Sequence, residues 1–212
     1  MTATGADISS RPTAPSLHSD RLRAAGLGAF FRPAQLAARG LTPDQIPSMI
    51  RRGVVTRVSR GLYRLTDAEP TEDYSLAMAC ARVPNSVVCL LSALRVHGIG
   101  TQAPARVWLA IPHKSRPPRV AGIRLRTVHF SGSAWTLGVT QTAFEGVPAR
   151  ITNPARTVVD CFRLERLVGP EIPIEALRDA LRKRLVTIAE LSRIEDVLSS
   201  RRLRAQLDAR ST

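Results

Sequence analysis

The sequence predicts an α+β fold on three observations. A short helix, a glycine turn, a second helix and a tight hairpin follow one another between Arg32 and Leu65. Short β-type segments, apolar or alternating, stand at Val107–Ile111 and Ile123–Phe130, and from Asn153 onward the pattern becomes helical. The first block has the order of a winged helix-turn-helix, and the rest reads as a mixed α/β body with a helical C-terminal end. The expected division is a disordered tail over residues 1–18, the winged unit over 19–66 and an α+β domain over 73–212. Thr66 to Asp73, polar and acidic, forms the connector.

The first helix of the winged unit is expected from Arg32 to Arg39. Pro33 suits the first turn, where its missing N–H loses nothing. Leu36 and Ala37 should face inward, and Gly40 can take the positive φ that ends a helix. The second helix is expected to open at Thr42, whose hydroxyl would pair with Gln45 in a capping box that contributes roughly 1 kcal/mol. Ile46, Met49 and Ile50, at i, i+3 and i+4, should form the buried stripe.

That stripe leaves Gln45, Ser48, Arg51 and Arg52 on the open side. Gln can bind adenine and Arg guanine in bidentate fashion, and Arg can also hold phosphate. Pro47 conflicts with a continuous helix, since an interior proline typically costs ~3 kcal/mol. A kink or a displaced first turn is therefore expected. Gly53 ends the helix, Val54–Val58 forms one strand, Arg60-Gly61 turns, and Leu62–Leu65 returns. Arg57, Arg60 and Arg64 place charge on this arm, suited to phosphates or the minor groove. Double-stranded DNA is thus the expected partner.

The net charge of +14 over 212 residues also calls for a polyanionic partner. Almost all of it is arginine, the lysines being Lys114 and Lys183. Arginine suits phosphate binding through its planar fork, although a GC-rich genome produces the same enrichment. The tail lacks an apolar run of signal-peptide type, and no stretch of about 18 apolar residues exists, so a cytoplasmic protein without a membrane span is expected. Cys80, Cys89 and Cys161 each sit among apolar neighbours and read as buried reduced thiols.

In the second domain, helices are expected over Glu72–Val83 and over Ser92–Gly98, the latter capped by Ser92. A turn at Glu145-Gly146 separates two weaker strands between Phe144 and Ile151. The helical end comprises Asn153–Arg163 with Asn153 as cap, Ile174–Arg184, Thr187–Leu198 and Ser200–Ala209. His97 at a helix end reads as a cap.

Enzymatic chemistry is not expected. The sequence lacks a glycine-rich phosphate loop, HExxH, CxxC and G-x-S-x-G. Asp160, Glu171, Glu175 and Asp179 form a metal-nuclease cluster only on paper, since no E-x-K follows them. No metal and no cofactor is assigned. The basic strings Arg178–Arg184 and Arg201–Arg204 allow two readings, a second footprint on DNA or an acidic partner, and a solvated helix face.

The string RGLTPDQIPSMIRRGVVTRVSRGLYRL resembles the N-terminal winged domain of AbiEi-type antitoxins from bacterial abortive-infection toxin–antitoxin systems. CLLSALRVHGIGTQAPARVWLAIP and ARITNPARTVVDCFR are similar to the C-terminal domain of that family. The resemblance implies a transcriptional autoregulator that binds repeated sites in its own promoter and counteracts a toxin of nucleotidyltransferase fold, directly or indirectly. Carried over by position, Gln45, Ser48, Arg51 and Arg52 would be recognition-helix contacts, with Arg57 and Arg60 on the wing. Pro47 departs from the family pattern, which expects a helix-friendly residue there. The alternative function is an antitoxin that works mainly through protein contact or toxin modification, with weak DNA binding.

Overall fold

The computed structural model describes residues 17–211, and these divide into two compact units between Thr71 and Glu72. Both are mixed α+β. Of the tail expected over 1–18, residues 1–16 lie outside the described residues, while Leu17 and His18 open the first helix.

The N-terminal unit runs α1 (Leu17–Ala24), β1 (Phe30–Phe31), α2 (Pro33–Ala37), α3 (Ile46–Arg51), β2 (Val55–Ser59) and β3 (Leu62–Leu65). Its antiparallel sheet has the order β1-β3-β2, with Phe30 opposite Arg64 and Thr56 opposite Arg64 on the other side. Leu22, Leu27, Phe31, Leu36, Ile46, Met49, Val55 and Leu65 form the core. Ser19 Oγ donates to Asp67 Oδ2 at 2.5 Å, and Arg23 pairs with Asp67 at 2.9 Å. Asp67, read from sequence as part of a connector, thus fastens α1 to the chain that leaves β3.

Three expectations in this unit are corrected. The Thr42 capping box does not form; Pro43–Gln45 is a single 3-10 turn, and Thr42 makes no side-chain cap bond. The α-helix proper starts at Ile46, which puts Pro47 within its first turn. There the proline removes an N–H that has no helical acceptor anyway, so the break upstream is what accommodates it. Ile50, expected in the core, is 40 % exposed, and Ala37 also faces solvent. The short α3 buries only Ile46 and Met49.

The C-terminal unit begins with α4 (Tyr74–Arg82), β4 (Val87–Val88), α5 (Leu90–Val96), β5 (Val107–Pro112) and β6 (Leu125–Phe130). The hairpin β7 (Val139–Phe144) and β8 (Val147–Thr152) follows, then α6 (Pro154–Arg163), α7 (Glu165–Val168), α8 (Ile172–Arg182), α9 (Ile188–Leu198) and α10 (Arg201–Ser211). The five-stranded sheet has the order β6-β5-β4-β8-β7. β5–β6 and β4–β8 are parallel, and β4–β5 and β7–β8 antiparallel. Glu145 and Gly146 close the hairpin with positive φ at both residues, as a two-residue turn between right-twisted strands requires.

Helix α6 starts where the sequence placed it. Asn153 accepts from the Arg156 N–H at 2.8 Å, and Pro154 follows the cap. Its side chains Val158, Val159, Cys161 and Phe162 join Leu94, Trp108, Leu177, Leu191 and Leu203 in one core. Ser92 is not the cap expected of it. α5 begins earlier, after Cys89, and the buried Ser92 Oγ instead accepts from the Trp108 N–H at 2.9 Å, tying α5 to β5. His97 does end α5, and its Nε2 lies 2.6 Å from the Thr152 carbonyl. The three cysteines are buried and unpaired to one another by disulfide.

Candidate nucleic-acid interface

The N-terminal unit presents α3 and the β2–β3 arm as adjoining segments, joined only by Arg52, Gly53 and Val54. Gly53 takes φ +69°, so the chain reverses out of the helix without Cβ strain. Gln45, Arg51 and Arg52 are exposed and Ser48 is half-buried. Gln45, Ser48 and Arg52 line a cleft of 340 Å³ together with Leu41, Met49, Leu22 and Arg21. Arg51 is not among the lining residues, and Ile50 beside it in the chain is exposed. Three of the four expected contact residues thus border this cleft, and Arg51 stands outside it.

Arg57 projects from β2 opposite Tyr63, and Arg60 stands in the turn before Gly61, whose φ is +67°. Both arginines are exposed. The strand register shifts between Arg57 and Ser59, so the arm twists next to its tip. Among the described residues, no carboxylate pairs with Arg51, Arg57 or Arg60.

Arg64 does not join this set. Its guanidinium donates to the carbonyls of Leu65, at 3.2 Å, and Ala68, and lies 5.7 Å from the centre of the Phe30 ring. A cross-strand position beside Phe30 draws the side chain inward, where it ties the end of β3. Arg21 is a lining residue that the sequence did not single out. It reaches the cleft because α1 packs beside α3; the signal available was Asp20 in a first turn and Gly26, at φ +74°, beyond the last.

The basic strings of the C-terminal unit are largely consumed by internal pairs. Asp179 accepts from Arg182 and, at 2.7 Å, Lys183. Arg202 pairs with Glu165, and Arg204 with Glu195 and, at 2.8 Å, Asp196. The carboxylates that sequence alone could group for metal chemistry are likewise engaged. Asp160 is held by Arg156 and Arg163, each at 2.8 Å. Glu175 accepts from the Thr101 N–H at 3.0 Å, and Asp179 from the Gly100 N–H at 2.7 Å. Among the described residues, no group of three or more His, Cys, Asp or Glu is disposed to hold a metal ion, and no helix is long and apolar enough to cross a membrane.

The exposed, cation-bearing helix and arm fall within a segment that a family model matches. Residues 21–66 match the family described as "Transcriptional regulator, AbiEi antitoxin". The matched segment holds α3, the arm and Arg21, so the resemblance drawn from the sequence is borne out over this unit. The crystal structure of RV2827C protein from Mycobacterium tuberculosis is similar in fold, with a TM-score of 0.53 at 17% identity, over 84% of this chain and 70% of that one. No curated protein matches the chain.

Proposed function

We propose that the N-terminal unit is a winged helix-turn-helix that binds double-stranded DNA at the chain's own promoter, and that the protein acts as an autorepressor and antitoxin. The order α1-β1-α2-α3-β2-β3 is that of a winged helix, which supports this reading. In it, α3 enters the major groove, Gln45, Ser48, Arg51 and Arg52 face bases or the phosphates at the groove edge, and Arg57 and Arg60 on the arm hold flanking phosphates. The observation that carries the reading is the carboxylate-free exposure of Arg51, Arg57 and Arg60 on adjoining segments.

The antitoxin role rests on the family match of residues 21–66. The partner implied is a toxin of nucleotidyltransferase fold, opposed either by repression of its gene or by an action of the C-terminal unit. Gel retardation of the DNA upstream of the operon tests the DNA reading. Replacing Arg51 and Arg52 with Ala should weaken binding, by roughly 1–3 kcal/mol for each bidentate pairing to a base that disappears. Unchanged retardation would overturn the assignment of α3. Rescue of growth from the toxin by residues 73–212 alone would favour the reading in which protein contact, or modification of the toxin, dominates.

A further inference from the structure

A sheet edge is a row of unpaired N–H and C=O groups, and folded proteins guard it with charge, proline, a bulge or brevity. Among the described residues, three of the four edges of the two sheets are guarded in this way. β1 is two residues long, and β2 carries Arg57 with a shift of register before Ser59. β6 carries Arg126, with Arg124 just before the strand. β7, at the opposite side of the five-stranded sheet, has none of these devices. Its sequence, VTQTAF, holds no charge and no proline, and it pairs with β8 in unbroken register from Val139 to Phe144. Thr140, Gln141 and Ala143 are exposed, so this edge is open to solvent.

The hairpin fixes which backbone groups point away from β8. In a two-residue hairpin the closing pair, here Phe144 and Val147, exchanges both bonds, and bonded and non-bonded pairs then alternate along the ladder. Phe144, Thr142 and Thr140 therefore bond to β8. The Asn153 N–H, which donates to the Gly138 carbonyl at 2.8 Å, continues the same phase past the end of the strand. Val139, Gln141 and Ala143 turn their backbone groups outward. The Val139 N–H is taken by the Thr136 carbonyl at 3.2 Å. Among the described residues, nothing meets the outward groups of Gln141 and Ala143.

Charge and symmetry select the occupant. The chain carries +14, so repulsion opposes a second copy wherever charged surfaces meet. From Thr127 to Phe144 there is no Asp, Glu, Lys or Arg, and β7 ends that neutral stretch. The edge is also self-complementary. A two-fold axis at Thr142 sets Gln141 against the partner's Ala143, a pairing that satisfies every outward N–H and C=O of both residues. Thr142 then faces the partner's Thr142, a favourable cross-strand pair with no charge in it. Association closes at two copies, because the far edge, β6, keeps its arginines. We propose that β7 is a dimerisation edge, along which two copies of this chain join their five-stranded sheets antiparallel about Thr142.

The test is sedimentation equilibrium of the full chain, freed of nucleic acid by nuclease, over a wide range of protein concentrations. The dimer fraction should rise with concentration. It should not fall as salt is raised, since no ion pair holds the edge and salt screens the repulsion between copies. Gln141→Pro removes only an outward N–H and leaves the β8 ladder intact, so the variant should be monomeric with an unchanged circular dichroism spectrum. Thr142→Lys, which sets like charges opposite each other at the axis, should be monomeric as well. Cross-linking reads the register, because the native cysteines are buried. In a non-bonded pair the Cα atoms stand about 4.5 Å apart, within disulfide reach, so Thr142→Cys should oxidise to a covalent dimer. Thr140→Cys, on the same face but about 14 Å from its equivalent, should not. A chain that stays monomeric at every concentration overturns the proposal. So does a dimer that survives both Gln141→Pro and Thr142→Lys, or one that Thr140→Cys cross-links as readily as Thr142→Cys.

Discussion

Arg156 and Asp160 lie one turn apart on α6 with both side chains fully buried, and the guanidinium Nε meets the carboxylate Oδ2 at 2.8 Å. The remaining donors of Arg156 go to the Leu137 carbonyl and, at 2.9 Å, the Ala134 carbonyl, and its plane sits 4.8 Å from the Phe130 ring centre. The other Asp160 oxygen accepts from Arg163. Burial pushes the Asp160 carboxyl up, while Arg156 and Arg163 pull it back. Removing Asp160 strands the Arg156 charge in the core, and removing Arg156 leaves the buried Asp160 with Arg163 alone. Arg156→Met and Asp160→Asn should each lower unfolding stability by roughly 3–5 kcal/mol, and the double variant by less than their sum. Urea denaturation of the set checks this.

The same arginine forbids a side chain at Gly138. A Cβ there would come within 2.7 Å of the Arg156 Cβ, and the backbone already sits at φ +64°. Gly138→Ala should therefore destabilise the C-terminal unit, whereas Gly122→Ala, with open space around it, should carry only the strain of its positive φ. Thermal midpoints of the two variants should differ in that order.

Ile46 and Ile50 are one turn apart on α3 but opposite in role. Ile46 is 4% exposed, and its truncation to Ala should cost about 2–5 kcal/mol. Ile50→Ala should leave the melting temperature nearly unchanged, since the side chain gives up little packing. Calorimetry of the two variants separates the buried flank of α3 from the open one.

Asp179 supplies a pH signature. Lys183 and Arg182, with the Gly100 N–H, hold its carboxyl well below the usual carboxylate range. A carboxylate lowered on folding stabilises fully above its unfolded value, about 3.9, and that contribution fades as pH falls toward the folded value. Asp179→Asn should thus be less stable than the parent at pH 7. The gap should close as the acid limb is descended, and a gap that widened in acid would contradict the pairing.

Burial pushes the Cys80 thiol up to about 12 and raises Cys89 and Cys161 as well. The folded protein should be inert to a thiol-specific reagent at mildly alkaline pH, and all three cysteines should react once it is unfolded.

Local signals were legible in the sequence and distant partners were not. Asn153-Pro154 announced α6, and Glu145-Gly146 announced its hairpin, because a cap and a turn are decided within a few residues. The two-residue strands Phe30–Phe31 and Val87–Val88 are too short to carry a period, and they exist because neighbours distant in sequence pair with them. Thr42 offered a capping motif that Pro43 and the 3-10 turn displaced. The exposure of Arg51 on α3, and of Gln45 and Arg52 at its two ends, followed from the stripe opposite them, but the place of Arg21 and the inward turn of Arg64 depend on α1 and Phe30. The basic strings left two readings open in sequence, since Glu165 and Glu195 reach Arg202 and Arg204 only after the helices have packed.

The position of β4 also sets a schedule for the nascent polypeptide. Its two residues sit mid-sheet between β5 and β8, so the sheet stays open until Thr152 has left the ribosome, and the Gly100–Thr101 turn waits further for Glu175 and Asp179. The N-terminal unit has all its strands by Leu65. A chain halted midway through synthesis can therefore carry a finished α3 and arm while its second sheet is still incomplete.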